Sequence, residues 1–197
     1  MRARLASRNE HKARELERAL PGWRIELLDA EGFPPEEGET YYENARGKAR
    51  FGRAVAPPDE WVLGEDSGIE AEALDGAPGV RSARWAGGDE VGSLLDALRG
   101  QERRRARYVC ELVALSPTGE ELRGTGILEG TIAEEPRGSE GFGYDPVFVP
   151  DGEARTVAEL GNEWKAENSH RARAARELSR AAAPLHPRSA DPSRGSA

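Results

Sequence analysis

Two stretches of this chain combine residue types suited to phosphate chemistry with places where secondary structure changes. Ser7-Arg8-Asn9-Glu10-His11-Lys12 stands at a strand-to-helix junction. A helix N-terminus exposes N–H groups and partial positive charge, which suits phosphate, and Lys12 in the first turn reaches the same anion. An ordinary Ser or Asn cap accounts for Ser7 and Asn9 equally well. The second stretch, Glu65-Asp66-Ser67-Gly68, follows the apolar run Trp61 to Gly64. Acids at the end of an apolar strand lie where α/β sheets bind ligands, and a carboxylate there can hold Mg²⁺ or take a proton from water. Adjacent acids also repel, so a nearby cation would relieve them.

Three further clusters bear on the same chemistry. Glu36-Glu37-Gly38-Glu39 is a solvated acidic loop by itself, but one of its acids beside Asp66 would complete a metal site. In Gly141-Phe142-Gly143-Tyr144-Asp145-Pro146 the glycines leave the aromatic face bare for a stacked base, and Asp145 offers an acceptor. Lys165 with Ser169-His170-Arg171 puts cations at a helix start, the wrong end for the helix dipole. A pocket of such donors favours a carbonyl-bearing base edge over an amino-bearing one.

Composition narrows the field. Of 28 basic residues 25 are Arg, leaving only Lys12, Lys48 and Lys165. Lys is a compact point charge suited to a phosphate or carbonyl oxygen, so its retention at three places marks all three as candidates. Acids outnumber bases 36 to 28, and the surplus falls in the middle of the chain, between basic ends. That distribution excludes a broad nucleic-acid footprint, while basic ends can converge on a small anion. The single Cys110 excludes internal disulfides, and His11, His170 and His186 are too few for a histidine metal cluster. Gly47-Lys48-Ala49 fails as a P-loop, lacking the earlier glycine and the following Ser or Thr. No apolar run approaches the ~20 residues of a membrane helix, and the start has no apolar signal segment. A cytoplasmic protein is the expectation.

The elements that must position these residues interleave. Strands are expected at Arg2 to Ala6, Trp23 to Leu28, Trp61 to Gly64, Arg107 to Leu115, Glu121 to Ala133 and Val147 to Val149. Helices are expected at Asn9 to Leu20, from the Thr40–Glu43 capping box to about Val55, at Asp89 to Leu98, from Thr156, and at Ser169 to Ala182. The βα alternation broken by hairpin-like strand pairs points to an α/β fold with a mixed sheet.

In order along the chain, these blocks resemble the inosine triphosphate pyrophosphatase family of non-standard purine nucleoside triphosphate pyrophosphatases. The resemblance is carried by Leu5 to Lys12, Gly38 to Ala49, Glu65 to Ile69, Gly76 to Gly87, Gly141 to Pro146, Ala158 to Leu160, and Lys165 with Ser169 to Arg171. It implies an elongated central mixed β-sheet flanked by helices, with two lobes and a nucleotide cleft between them, and a homodimer. The implied reaction is Mg²⁺-dependent hydrolysis of ITP, dITP or XTP to the monophosphate and pyrophosphate, which cleanses the nucleotide pool. By the same resemblance, Ser7, Arg8, Asn9, Glu10, His11 and Lys12 meet the triphosphate. Asp66 is the proton acceptor and a metal ligand, Lys12 assists catalysis, and Ser67 touches substrate. Glu36, with Glu37 as runner-up, is the second metal ligand. Phe142, Gly143, Tyr144 and Asp145 meet base and sugar, and Lys165, His170 and Arg171 read the base edge. Lys48 falls inside a matching motif without a role.

The chain departs from the family in having Arg8 for a usual Gly, Glu65 for a common Asp, and a short segment around Asp89 to Gly100. Residues 1–183 are expected to form one two-lobed domain, and the Pro/Ser/Arg-rich residues 184–197 a disordered tail. Two other functions compete. A Maf-like pyrophosphatase would do the same chemistry on pyrimidine or modified nucleotides, and a non-catalytic nucleotide sensor would bind without turnover.

Overall fold

The computed structural model describes residues 1–85 and 87–182, so the expected tail lies outside the described residues. One six-stranded sheet runs through it in the order β2-β1-β3-β4-β5-β6. Its strands are β1 (Arg2–Leu5), β2 (Arg24–Leu27), β3 (Trp61–Ala71), β4 (Arg105–Leu115), β5 (Glu121–Ile132) and β6 (Phe148–Pro150). β1 runs parallel to β2 and β3, and the remaining pairs are antiparallel, so the sheet is mixed as expected. The helices are α1 (Glu10–Ala19), α2 (Tyr41–Val55), α3 (Ser82–Trp85), α4 (Glu90–Ala97), α5 (Val157–Asn168) and α6 (His170–Ala182). Among the described residues no helix is long and apolar enough to cross a membrane.

Local signals account for the helix starts. The Asn9 side chain accepts from the backbone of His11 and Lys12, so Asn9, not Ser7, caps α1. Thr40 with Glu43 and Thr156 with Glu159 form complete capping boxes at α2 and α5. α1 buries Ala13 and Leu16 on one face, with Leu20 buried just beyond its end.

β3 corrects the expected strand boundary. Trp61 to Gly64 does not end in a polar turn; the strand continues through Glu65-Asp66-Ser67-Gly68 to Ala71. β4 explains this, since it pairs with β3 without interruption from Val62↔Leu115 to Ala71↔Ala106. A cross-strand partner sustained over ten residues outweighs the turn preference of the local residues. β1, however, follows β3 only as far as Leu5↔Leu63. The two acids therefore sit inside a long strand, but past the end of its parallel neighbour.

Two apolar clusters lie at opposite ends of the long strands. One gathers Leu5, Leu16, Leu63, Leu112 and Leu178, and the other Ile69, Leu94, Tyr108, Leu128 and Phe148. The polar part of β3 falls between them. Two helices press onto the sheet at glycines that leave no room for a side chain. A Cβ on Gly64 would stand 2.0 Å from the Ala45 carbonyl oxygen of α2, and one on Gly126 would stand 1.8 Å from that of His170 in α6. These contacts set the depth of α2 behind Asp66 and of the α6 start beside Glu65.

Candidate active site

Alternation along β3 sends its two acids to opposite faces of the sheet. Glu65 meets α1 and α6: its Oε2 lies 2.6 Å from Lys12 Nζ, and its Oε1 accepts from Arg171 Nε at 3.1 Å and NH2 at 3.0 Å. Asp66 meets α2: its Oδ1 accepts from Lys48 Nζ at 2.8 Å and its Oδ2 from Asn44 Nδ2 at 3.1 Å. Each acid has its own lysine, which answers the repulsion that adjacent carboxylates would otherwise suffer.

The electrostatics of the two acids differ accordingly. Burial alone would raise the pKa of Glu65, but Lys12 and Arg171 outweigh it and hold the carboxylate well below its ordinary range. At Asp66 burial dominates and the pKa is raised, with Lys48 acting against it. Glu65 is a fixed anion, and Asp66 is the more basic carboxylate.

Glu36 lies on the loop before α2. Its Oε1 is 2.5 Å from Lys48 Nζ and its Oε2 2.6 Å from Arg84 NH1 of α3. Lys48 also donates to the Glu65 backbone oxygen at 3.0 Å. Glu36 and Asp66 thus aim oxygens at one cationic centre, and hard oxygen donors of this kind fit Mg²⁺, which keeps waters and substrate oxygens for its remaining positions. Asn44 ties the pair together, since its Oδ1 accepts from Gly38 N at 2.9 Å while its Nδ2 holds Asp66.

Two hollows adjoin here and share Asn9, Lys12 and Ala83. Ser7, Arg8, Glu10, His11, Glu36 and Lys48 line the outer one with the α1 N-terminus. Within it, the Glu10 carboxylate is 3.1 Å from Arg14 NH2, and the Ser7 hydroxyl accepts from Asn9 N at 3.1 Å. Arg8, the departure from the family pattern, lies over the Phe33 ring at 5.3 Å and donates to the Glu31 carbonyl oxygen.

The inner hollow is lined by Ser67, Phe142, Gly143, Tyr144, Asp145, Lys165, His170 and Arg171, all of them expected from the sequence. The Phe142 ring has His11 at 5.2 Å between centroids and Lys165 Nζ at 4.6 Å from its centroid. Tyr144 donates its hydroxyl to the Ser82 carbonyl oxygen. His170 stacks on Tyr108 at 4.5 Å and 9°, and its Nδ1 has no hydrogen-bond partner. Burial and the Arg171 charge push His170 well below the ordinary histidine range, so its ring is neutral.

The cations of the inner hollow are partly satisfied within the protein. Lys165 Nζ is 2.5 Å from Glu15 Oε1 and 2.6 Å from Asp145 Oδ2. Arg171 bonds Glu65, Glu15 and the Ser67 hydroxyl. An ammonium has three donors and a guanidinium five. Two ion pairs at Lys165 and four hydrogen bonds at Arg171 therefore leave one N–H on each.

The Ham1 family model matches residues 3–181. The chain belongs to the Ham1 family.

Among curated relatives it is similar to proteins named dITP/XTP pyrophosphatase. The one from Exiguobacterium sp. (strain ATCC BAA-1283 / AT1b) is 45% identical, covering 90% of this chain and 95% of that one. The one from Deinococcus deserti is 46% identical, covering 86% and 84%. Among solved structures, the Ham1 protein of Staphylococcus aureus superposes with a TM-score of 0.79 at 32% identity, covering 91% and 97%. A HAM1 protein from Coxiella burnetii gives 0.78 at 34%, covering 92% and 98%.

This Ham1 chain uses three residues that sequence reasoning did not single out: Glu15, Asn44 and Tyr108. Glu15 stands one helical turn from Lys12 and carries Lys165 and Arg171 together. That spacing on one face of α1 was the available signal. Asn44 lies within the resembling stretch Gly38 to Ala49 and Tyr108 within the expected strand Arg107 to Leu115, neither with a role assigned. Lys48, marked by the scarcity of lysine and by a matching motif that gave it no role, proves to be the hub of the acidic cluster.

Proposed function

We propose that this protein hydrolyses dITP, ITP and XTP to the nucleoside monophosphate and pyrophosphate, with Mg²⁺, and so removes deaminated purines from the nucleotide pool. The observation that carries the reading is the join between the two hollows. A base-sized pocket with spare cationic donors opens onto a helix N-terminus with Lys12, and Glu36, joined to the buried Asp66 through Lys48, lines that groove. The names of the Ham1-family relatives support the same substrate class.

Glu36 and Asp66 would hold Mg²⁺, which would supply positive charge to the phosphate oxygens. Asp66 takes the proton of the attacking water, a role its raised pKa favours over that of an ordinary surface aspartate. The attack falls on the α-phosphorus, and pyrophosphate leaves whole. Lys12 and the α1 N-terminus stabilise the charge that develops on the phosphates. Lys12 spends one donor on Glu65 and keeps the others for the substrate.

The base stacks on Phe142. The single remaining N–H groups of Lys165 and Arg171, with the neutral His170, meet its polar edge. Those cations are held by Glu15, Glu65 and Asp145, so rejection of adenine does not come from stranding bare charges. It comes from two donors of fixed direction that donate to a 6-keto oxygen and leave an amino group without an acceptor. The family resemblance supports a homodimer acting in the cytoplasm.

The test is to incubate the purified protein and Mg²⁺ with ITP, XTP, ATP, GTP and dTTP separately and identify the products. Monophosphate and pyrophosphate from ITP and XTP, with little from the others, is the expected outcome. Turnover chiefly of dTTP would move the protein to the Maf-like reading, and binding without turnover would make it a sensor.

A further inference from the structure

We infer that Lys48 is a built-in counter-cation that occupies the divalent-metal position of the substrate-free protein, so that metal enters only together with a polyphosphate that draws Lys48 away. The inference rests on the proposed reading of Glu36 and Asp66 as metal ligands. Three oxygens surround Lys48 Nζ: Glu36 Oε1 at 2.5 Å, Asp66 Oδ1 at 2.8 Å and the Glu65 backbone oxygen at 3.0 Å. All three ammonium donors are thereby used. An all-oxygen shell is what a hard metal ion also seeks, and Mg²⁺ would draw such oxygens in to about 2.0–2.1 Å.

The second oxygens of both acids are spoken for. Asp66 Oδ2 is held by Asn44 and Glu36 Oε2 by Arg84. The inward oxygens therefore stay aimed at the same point whichever cation fills it. With Lys48 and Arg84 present, the two carboxylates are already neutralised, so a divalent ion gains little by entering and meets a like charge a few ångströms away. Lys48 nevertheless lines the outer hollow with Arg8 and Lys12. A triphosphate lying there offers its ammonium new oxygen partners. Removal of Lys48 from between the acids then leaves an anionic pair for the metal. Binding of metal and of polyphosphate is thus positively coupled, and by linkage each raises the affinity of the other equally. Without such a device, a protein with this acidic pair would hold metal with or without nucleotide.

The experiment is a Mn²⁺ titration of the nucleotide-free protein, following free Mn²⁺ by electron paramagnetic resonance. Wild type is expected to bind Mn²⁺ weakly. Lys48→Met, and Lys48→Gln as a second variant against folding failure, should each bind it at least about tenfold more tightly. Lys48→Arg, which keeps the charge, should stay weak. Lys48→Met/Asp66→Asn should lose the gain, tying it to these acids. Folded Lys48→Met or Lys48→Gln with no tighter Mn²⁺ binding overturns the inference, as does Lys48→Arg binding as tightly as Lys48→Met. ITP turnover by wild type is measured alongside. Turnover without the Mn²⁺ gain sinks the counter-cation and spares the enzyme reading, whereas the gain without turnover does the reverse.

Discussion

Glu65 and Asp66 are neighbours in the chain, yet their carboxylates lie on opposite faces of one strand, the first on Lys12 and Arg171 and the second on Lys48 and Asn44. Their consequences for mutation should separate. Asp66→Asn keeps the shape and one acceptor oxygen for Lys48, giving up only the bond from Asn44, so the fold should survive. Turnover of ITP should fall about 10²–10⁴-fold with the loss of a general base, while nucleotide binding persists by calorimetry. Glu65→Gln removes the charge that the buried Arg171 and the half-buried Lys12 share, and should cost about 3 kcal/mol in urea unfolding. Equal stability of the two variants would refute the separation.

Arg171→Lys tests the donor arrangement. The charge stays, but the planar fork that reaches Glu65, Glu15 and Ser67 together is lost. The kcat/KM ratio of ITP over ATP should drop by about tenfold or more. An unchanged ratio with reduced kcat would assign Arg171 to folding rather than to base choice.

Gly126→Ala addresses the seat of α6. The added Cβ would meet backbone, not a side chain that could turn aside. A loss of about 3 kcal/mol or more is expected. KM for ITP should rise too, because His170 and Arg171 shift with the helix. Gly47→Ala, where a Cβ meets nothing within 4 Å, is the control.

Stability should also depend on pH through His170. Its folded pKa lies below the unfolded value of about 6.5. Above that pH both states are neutral and stability is full. As pH falls below it, the unfolded chain takes up a proton that the folded protein refuses, so stability declines by at most about 1.4 kcal/mol per pH unit. Glu65, Glu15 and Glu36, all lowered, add to the loss only below about pH 4.3. Asp66 and Asp145, both raised, oppose it. Melting temperatures between pH 7 and 5 should fall in wild type and flatten in His170→Gln.

Much of this was legible in the residues. The capping boxes at Thr40 and Thr156 and the Asn9 cap follow from local chemistry, and local chemistry is written in sequence. The scarcity of lysine pointed to Lys12, Lys48 and Lys165, and all three enter the site's ion pairs. The length of β3 was not legible, because β4 decides it from some forty residues away. Nor was the assignment of Glu65 and Asp66 to different faces, which depends on that strand continuing. Glu15 escaped notice because its partners lie on α5 and α6, and an acid on an amphipathic helix ordinarily faces water.

β1 stops opposite Leu63 while β3 runs on to Ala71. A ligand can therefore straddle an interior strand and be gripped from above and below the sheet at once. Reactive groups mounted this way inherit the stiffness of a hydrogen-bonded ladder, whereas those carried on a loop depend on the loop holding still. Substrate preference can then drift through the surrounding rims, Phe142 and α6 among them, without disturbing the two acids that β3 carries.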